Sequence, residues 1–321
     1  MWFSFVKCHG SGNDFPLIDA RAITLEDAEW ASIARALADR AGPVGGDGLL
    51  LLTRGRGSAS FGMRMFNPDG SEAETCLNGL RCVARLGLEA LGIDSATVAL
   101  KTSAAEVALV APLASGVVTV RTVAGPASTN PAAVGIRLPS PVIDAEIAAL
   151  PSGRRFTVVG MPNPHLLSFG TIDDSALIAL GMWCEARPPL LVDRANVSFV
   201  EPRGPDLFVR TFERGVGLTN ACGSAMAAAT YAAALTDRIA WNAAITVFNP
   251  GGRVRAAAAR DGLITIEGNA TFEWAGEIEV DLPRASASGL AIGQLFEHET
   301  AAWAAVTRQG EQSRPPDPSS H

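Results

Sequence analysis

Set against itself at an offset of 146 residues, the chain returns matching residues in matching company: Arg64 falls on Arg210, Phe66 on Phe212 and Cys76 on Cys222. In both places a β-type run ends at the phenylalanine, a ten-residue step follows, and the cysteine opens a helix rich in alanine and leucine. At an offset of 150, Asn13 falls on Asn163, each in a glycine- or proline-rich turn after a strand. A few coincidences at a fixed offset carry limited weight alone. Taken as a repeat, they restrict the fold strongly, because the second half must form whatever unit the first half forms. The expectation is two similar halves facing each other across a cleft, each lending one cysteine.

Punctuation along the chain divides it further. The stretch "GPASTNPAAVG" at 125–135 reads as a linker. The expected organisation is a first half over 1–123 carrying Cys76, a second half over 124–276 carrying Cys222, a segment over 277–300 returning to the first half, and a disordered tail over 301–321. That tail includes "RQGEQSRPPDPSSH", which lacks periodicity and has adjacent prolines. With 48% apolar and 18% charged residues, the 321-residue chain has ample material for a core. A net charge of −7 with no run of Lys or Arg argues against nucleic acid or an anionic membrane as partner. The start "MWFSFVKCHG" has no charged n-region followed by an apolar core, so a cytoplasmic protein is expected. Five scattered cysteines (8, 76, 82, 184, 222) and no C-x-x-C pair argue against a disulfide framework and a structural zinc site.

Thiols at helix mouths are chemically pointed. A free cysteine has a pKa of about 8.5, and a helix N-terminus draws it towards neutrality while offering N–H groups to an anion. Two such groups on opposite faces of a carbon stereocentre can invert it, one taking the proton and the other returning one. Negative charge growing on an adjacent carboxylate would be met by the same helix ends. No metal or pyridoxal phosphate is required, and only Lys7 and Lys101 are available for a Schiff base. Against this stands simple packing, since free cysteine is a small hydrophobe. Cys8, Cys82 and Cys184 have no repeat-related role and read as core.

The motifs "KCHGSGNDF" (7–15), "GGDGLLL" (45–51), "FNPDGSEAETCLNGLRC" (66–82), "GMPNPH" (160–165), "RANVSFV" (194–200) and "ERGVGLTNACGS" (213–224) together resemble the diaminopimelate epimerase family, in that order and over nearly the whole chain up to the tail. The resemblance implies an α+β fold of two pseudo-symmetric domains, each a curved mixed sheet wrapped around a central helix. It implies that Cys76 and Cys222 are the acid/base pair, with His165 near the first thiol and Glu213 near the second. Asn78, Gly223 and Ser224 correspond to donors to the reacting carboxylate. Asn13, Asn67, Asn163, Asn196 and Arg214 correspond to residues holding the far amino-acid end. Read without the family, the asparagines are equally turn residues favouring left-handed backbone, Arg214 is equally a surface arginine, and His165 is equally a core histidine.

Two positions depart from the family pattern. Leu77 follows the first cysteine where glycine is usual, adding bulk and disfavouring positive φ; Ala225 replaces a glycine inside the second helix. Leu77 bears on substrate identity more than on reaction type. The expected function is cofactor-independent interconversion of LL- and meso-diaminopimelate, with a small-molecule amino-acid partner, no nucleic acid and no membrane; a homodimer is compatible with it. A racemase of another amino acid on the same fold, and a non-catalytic binding protein with a redox-active cysteine pair, remain open on the sequence.

Overall fold

The computed structural model describes residues 1–73, 76–161 and 163–312, with side chains as far as residue 308. Glu74, Thr75 and Pro162, inside two of the motifs, lie outside the described residues, as does the 313–321 part of the expected tail. The chain packs as two units, one of Met1–Thr122 with Glu267–Val306 and one centred on Val123–Ile266.

The first unit opens with β1 (Trp2–Gly10), β2 (Asn13–Asp19), α1 (Asp27–Ala38), β3 (Leu49–Arg54), β4 (Phe61–Phe66), α2 (Leu77–Leu91), β5 (Ser95–Ala99), β6 (Ala104–Val110) and β7 (Thr119–Ala124). The second contains α3 (Pro131–Val134), β8 (Ala145–Glu146), β9 (Arg155–Met161), β10 (Asn163–Phe169), α4 (Asp174–Glu185), β11 (Asn196–Arg203), β12 (Asp206–Glu213), β13 (Gly217–Thr219), α5 (Gly223–Leu235), β14 (Ile245–Asn249), β15 (Gly252–Ala258) and the start of β16 (Ile264–Asn269), whose last three residues belong to the first unit. The chain then adds β17 (Thr271–Asp281), β18 (Ser286–Leu295) and α6 (Glu297–Gln312).

The repeat is written in strand pairing. From β1 to β6 neighbours pair antiparallel, parallel, antiparallel, parallel, antiparallel. From β9 through β10, β11, β12, β14 and β15 the order is the same, with β13 an added strand on β12. Each unit is thus the α+β build expected, a mixed sheet around a helix.

The run Leu49–Leu52 shows how one strand serves two layers. Leu49 and Leu51 join the cluster of α1 residues Trp30, Ile33 and Leu37, whereas Leu50 and Leu52 join that of α2 residues Leu80, Val83 and Leu88. Alternation on a pleated strand requires this split, and burial on both faces explains an uninterrupted apolar run. In the second unit α4 covers one face through Leu177, Leu180 and Cys184 against Phe156, Leu166, Val197 and Phe212. The helix α5 touches β9, β10, β11, β12 and β15. Its alanines are buried nearly all round, as a central helix demands, and their small side chains let strands approach closely.

Several expectations are revised. The 125–135 stretch is not a free linker. Ala127 N–H bonds to Gly262 O at 2.7 Å, Ser128 bridges to Gly160, and Asn130 caps α3. Residues 301–312 of the expected disordered tail are helical, and Trp303 and Val306 bury against Val117. Residues 301–306, AAWAAV, are an unbroken apolar and helix-favouring run, distinct from the polar, proline-containing stretch that follows. No helix among the described residues is long and apolar enough to cross a membrane.

Candidate active site

Both repeat-related cysteines sit immediately before a helix. Cys76 is the N-cap of α2 and Cys222 the N-cap of α5, each in extended backbone. The half-buried Cys76 Sγ accepts the Gly79 N–H at 3.3 Å. Cys222 Sγ lies 3.4 Å from Ser224 Oγ. The first turn of a helix leaves its N–H groups without intrahelical acceptors, so each sulfur stands at a positive helix end. Leu77 is the first residue of α2 and takes ordinary helical backbone; no positive φ is needed there. Its side chain packs on the first unit's core. By contrast, Cys8, Cys82 and Cys184 are fully buried, and burial pushes the Cys184 thiol up to about 12.

In the first unit, strand parity puts Asn13 on the α2 face, because Phe15 and Leu17 pack in the α2 cluster. Asn13 Oδ1 accepts from Asn78 Nδ2, and Asn13 Nδ2 donates to Asp47 Oδ2 at 3.0 Å. Asp47, from the glycine-rich loop, is held in turn by Arg40 at 2.7 Å. Asn78 Oδ1 receives Arg81 Nη2 at 2.8 Å. Asn67 is separate from this chain of bonds: its amide donates to Ser71 Oγ at 3.0 Å within the turn after β4. The positive φ angles of the first turn belong to Ser11 and Gly12, so Asn13 is a strand residue.

In the second unit the same parity rule collects a second set. Leu166, Val197 and Phe212 face α4, so His165, Asn196 and Glu213 face the α5 side. His165 and Asn196 are register partners on β10 and β11. Asn163 Oδ1 can only accept, so His165 Nε2 carries the proton in their 3.0 Å bond. Its Nδ1 is then an acceptor, buried and without a partner. Asn196 Oδ1 accepts the Arg214 backbone N–H at 3.0 Å, while its Nδ2 donor is buried and unmatched. Burial first, and the nearby Arg214 charge second, pull the His165 pKa down to about 3, so the imidazole is neutral at physiological pH. Arg214 lies in the turn between β12 and β13, its guanidinium 4.0 Å from Asp193. Next to Cys222, Thr211, Thr219, Met226 and Asn249 line a narrow recess where Thr219 Oγ1 and Asn249 Oδ1 also lack partners.

Buried polar atoms are nearly always paired in folded proteins, so an unmet acceptor beside an unmet donor points to a ligand. An acceptor for N–H next to a donor for oxygen is the complement of an ammonium and carboxylate on one carbon. Sequence reasoning missed Asp47, Arg81, Thr219 and Asn249. Asp47, Arg81 and Thr219 lay inside quoted motifs without being singled out; Asn249 lay outside them and carries no local signal.

Comparison with known proteins gives the family. Residues 5–124 and 157–273 match the family model described as Diaminopimelate epimerase. A diaminopimelate epimerase of Listeria monocytogenes serovar 1/2a is 36% identical over 298 residues, covering 86% of this chain and 88% of the relative. One from Clostridium acetobutylicum is 35% identical over 287 residues, covering 87% and 86%. Among solved structures, a hydroxyproline epimerase from Agrobacterium vitis superposes with TM-score 0.62 at 14% identity, covering 96% of this chain and 98% of that one. A PhzF-family phenazine biosynthesis protein from Bacillus anthracis does so with TM-score 0.61 at 15% identity, covering 87% and 100%. These two likenesses concern the fold alone.

Proposed function

The chain belongs to the diaminopimelate epimerase family and is an isomerase, and from that premise we propose that it interconverts LL- and meso-diaminopimelate with Cys76 and Cys222 as a two-thiol acid/base pair. The observation that carries this reading is the recurrence of a cysteine N-cap on the central helix of each unit. One sulfur, as thiolate, takes the α-proton of one amino-acid end; the other, as thiol, returns a proton to the opposite face of the planar carbanion. The centre is inverted, one C–H bond is broken and one formed, and the two sulfurs have exchanged protonation states. The reacting carboxylate gathers charge as the proton leaves. N–H groups from Asn78, Gly223 and Ser224 at the two helix starts are suited to stabilise it.

The distal amino-acid end is assigned to the second unit's polar set. The His165 Nδ1 acceptor suits an ammonium, the Asn196 Nδ2 donor a carboxylate oxygen, and Arg214 a bidentate carboxylate grip. His165 therefore enters as a neutral hydrogen-bonding group. Glu213, at the end of β12 before Arg214, is assigned a backbone carbonyl contact to that end. Asn13 and Asn67 are assigned to the same substrate end on the family likeness. A simple amino acid would leave these groups unmatched, which favours a substrate with two amino-acid ends.

The decisive experiment measures α-proton exchange into deuterated buffer for LL- and meso-diaminopimelate beside a panel of one-ended amino acids. Exchange confined to diaminopimelate is expected. Exchange of proline or another one-ended amino acid with diaminopimelate silent overturns the substrate assignment. Binding without exchange of any compound overturns the catalytic reading.

A further inference from the structure

We infer that Glu185 is a positioning residue for Arg214: its carboxylate ties the turn that carries the arginine to the end of α4. The use of that turn in turnover rests on the substrate contact proposed for Arg214, but the tie itself does not.

Three successive N–H groups of the turn between β12 and β13 have acceptors. Arg214 N–H donates to Asn196 Oδ1 at 3.0 Å, Gly215 N–H to Glu185 Oε2 at 3.0 Å, and Val216 N–H to Glu213 O at 3.1 Å. Only the last of these bonds lies within the turn. The other two reach remote side chains, one on the first residue of β11 and one on the last residue of α4. The guanidinium itself is held more loosely. Among the described residues its ionic partner is Asp193, 4.0 Å away and also taken by Arg187 at 2.9 Å. Where the Arg214 side chain stands is therefore set by its backbone, and the backbone is set by Asn196 and Glu185.

The helix gives Glu185 no reason to be there. A carboxylate in the last turn meets the negative end of the helix dipole, and α4 has no basic residue in that turn to offset it. The offset comes from Arg194, whose Nη1 donates to Glu185 Oε1 at 2.7 Å and leaves Oε2 for the turn. With the Arg194 and Glu185 side chains 30% and 35% exposed, water screens the pair, so the tie works by fixing geometry more than by strength. Arg194 also lies against the turn. A Cβ on Gly215 would sit 3.2 Å from Arg194 Nη1, and Gly215 takes φ +75°, so glycine is needed there on both counts. The first unit has no arginine at the matching place and uses the matching acid differently. Pro68 stands 146 residues before Arg214. Asp39, at the same offset from Glu185, accepts the Ala41 N–H at 2.9 Å in its own loop. The tie accompanies the arginine.

The test has two substrate-free arms and one kinetic arm. Amide hydrogen exchange of residues 213–217 reads the tie, and the rate at which phenylglyoxal modifies Arg214, located by mass spectrometry, reads the side chain's placement. Glu185→Ala removes the acceptor and should speed exchange in that segment about tenfold or more, with faster modification of Arg214. It should raise KM for diaminopimelate about tenfold and change kcat less, because a grip on the non-reacting end acts equally before and in the transition state. Glu185→Gln keeps an oxygen at the same reach and should restore part of each effect. Arg194→Met, which leaves the carboxylate unanchored, should move all three readouts in the same direction as Glu185→Ala. Unchanged exchange in folded Glu185→Ala, or in Arg194→Met if Glu185→Ala does not fold, overturns the tie. Faster exchange with an unchanged Arg214 modification rate overturns the positioning role, as does an unchanged KM in a chain that epimerises diaminopimelate. A parent chain that turns over no diaminopimelate overturns the proposed substrate, and the two substrate-free arms still decide this inference.

Discussion

His165 and Asn196 stand opposite each other on parallel strands, and each keeps one buried polar atom unmatched, an acceptor on the histidine and a donor on the asparagine. Asn196→Asp keeps an oxygen for the Arg214 N–H and removes the donor. It should cost about 1–3 kcal/mol of transition-state binding, or about 10- to 100-fold in kcat/KM for diaminopimelate. Steady-state kinetics check this; an unchanged kcat/KM would detach Asn196 from substrate.

Cys76→Ser and Cys222→Ser should each lower epimerisation by at least about 100-fold, since serine is far too weak an acid to replace a thiol near neutral pH. Both chains should stay folded by circular dichroism. Near-normal turnover in either would remove that sulfur from the mechanism.

Acid should destabilise the fold from about pH 6.5 downward. Burial, with Arg214 as the second cause, holds His165 at about 3, and burial, opposed by Asp14 and aided by Arg81, holds His9 at about 4. Below the ordinary histidine value the unfolded chain takes up protons that the folded chain refuses. Stability is therefore fully present above about pH 6.5 and lost as pH falls, by up to about 1.4 kcal/mol per pH unit for each histidine. Urea unfolding at pH 7.5 and 5.0 should show a smaller loss in His9→Gln than in the parent chain.

Gly87→Ala should destabilise although alanine is the better helix former. The added Cβ would lie 2.7 Å from two atoms of the Phe61 ring. Overpacking costs about 1–3 kcal/mol, against about 1 kcal/mol of helix propensity gained. A higher Tm would refute the close approach of α2 to β4.

Glu299→Gln should loosen α6. Arg85 meets Glu299 through two bonds at 2.5 and 2.8 Å while lying 3.7 Å over the Phe272 ring. Removing one partner of a buried pair costs about 3–5 kcal/mol. Faster proteolytic cleavage within 297–312, and a lower Tm, are the expected readouts.

The linear chain disclosed whatever depends on near neighbours. Helix starts at Cys76 and Cys222 follow from a local pattern that recurs 146 residues apart, and the stop at Gly92 from the glycine itself. Local patterns also misled, in the 125–135 segment and at the beginning of the tail. In 125–135 turn chemistry looks the same whether a segment is free or tied down by distant backbone, and at 301–306 a short apolar helical run adjoins a polar, proline-containing stretch.

Folding alone decided the rest. Arg81 reads as one more polar residue in an amphipathic helix until Asn269, 188 residues away, closes over it. His165 beside prolines gives no hint that burial will hold it neutral with one nitrogen unanswered. Hydrophobic periodicity records which face of an element is buried, and a repeat records which elements recur. Neither records which polar atoms meet once remote strands assemble, and that meeting sets the charge and hydrogen-bond state of a site.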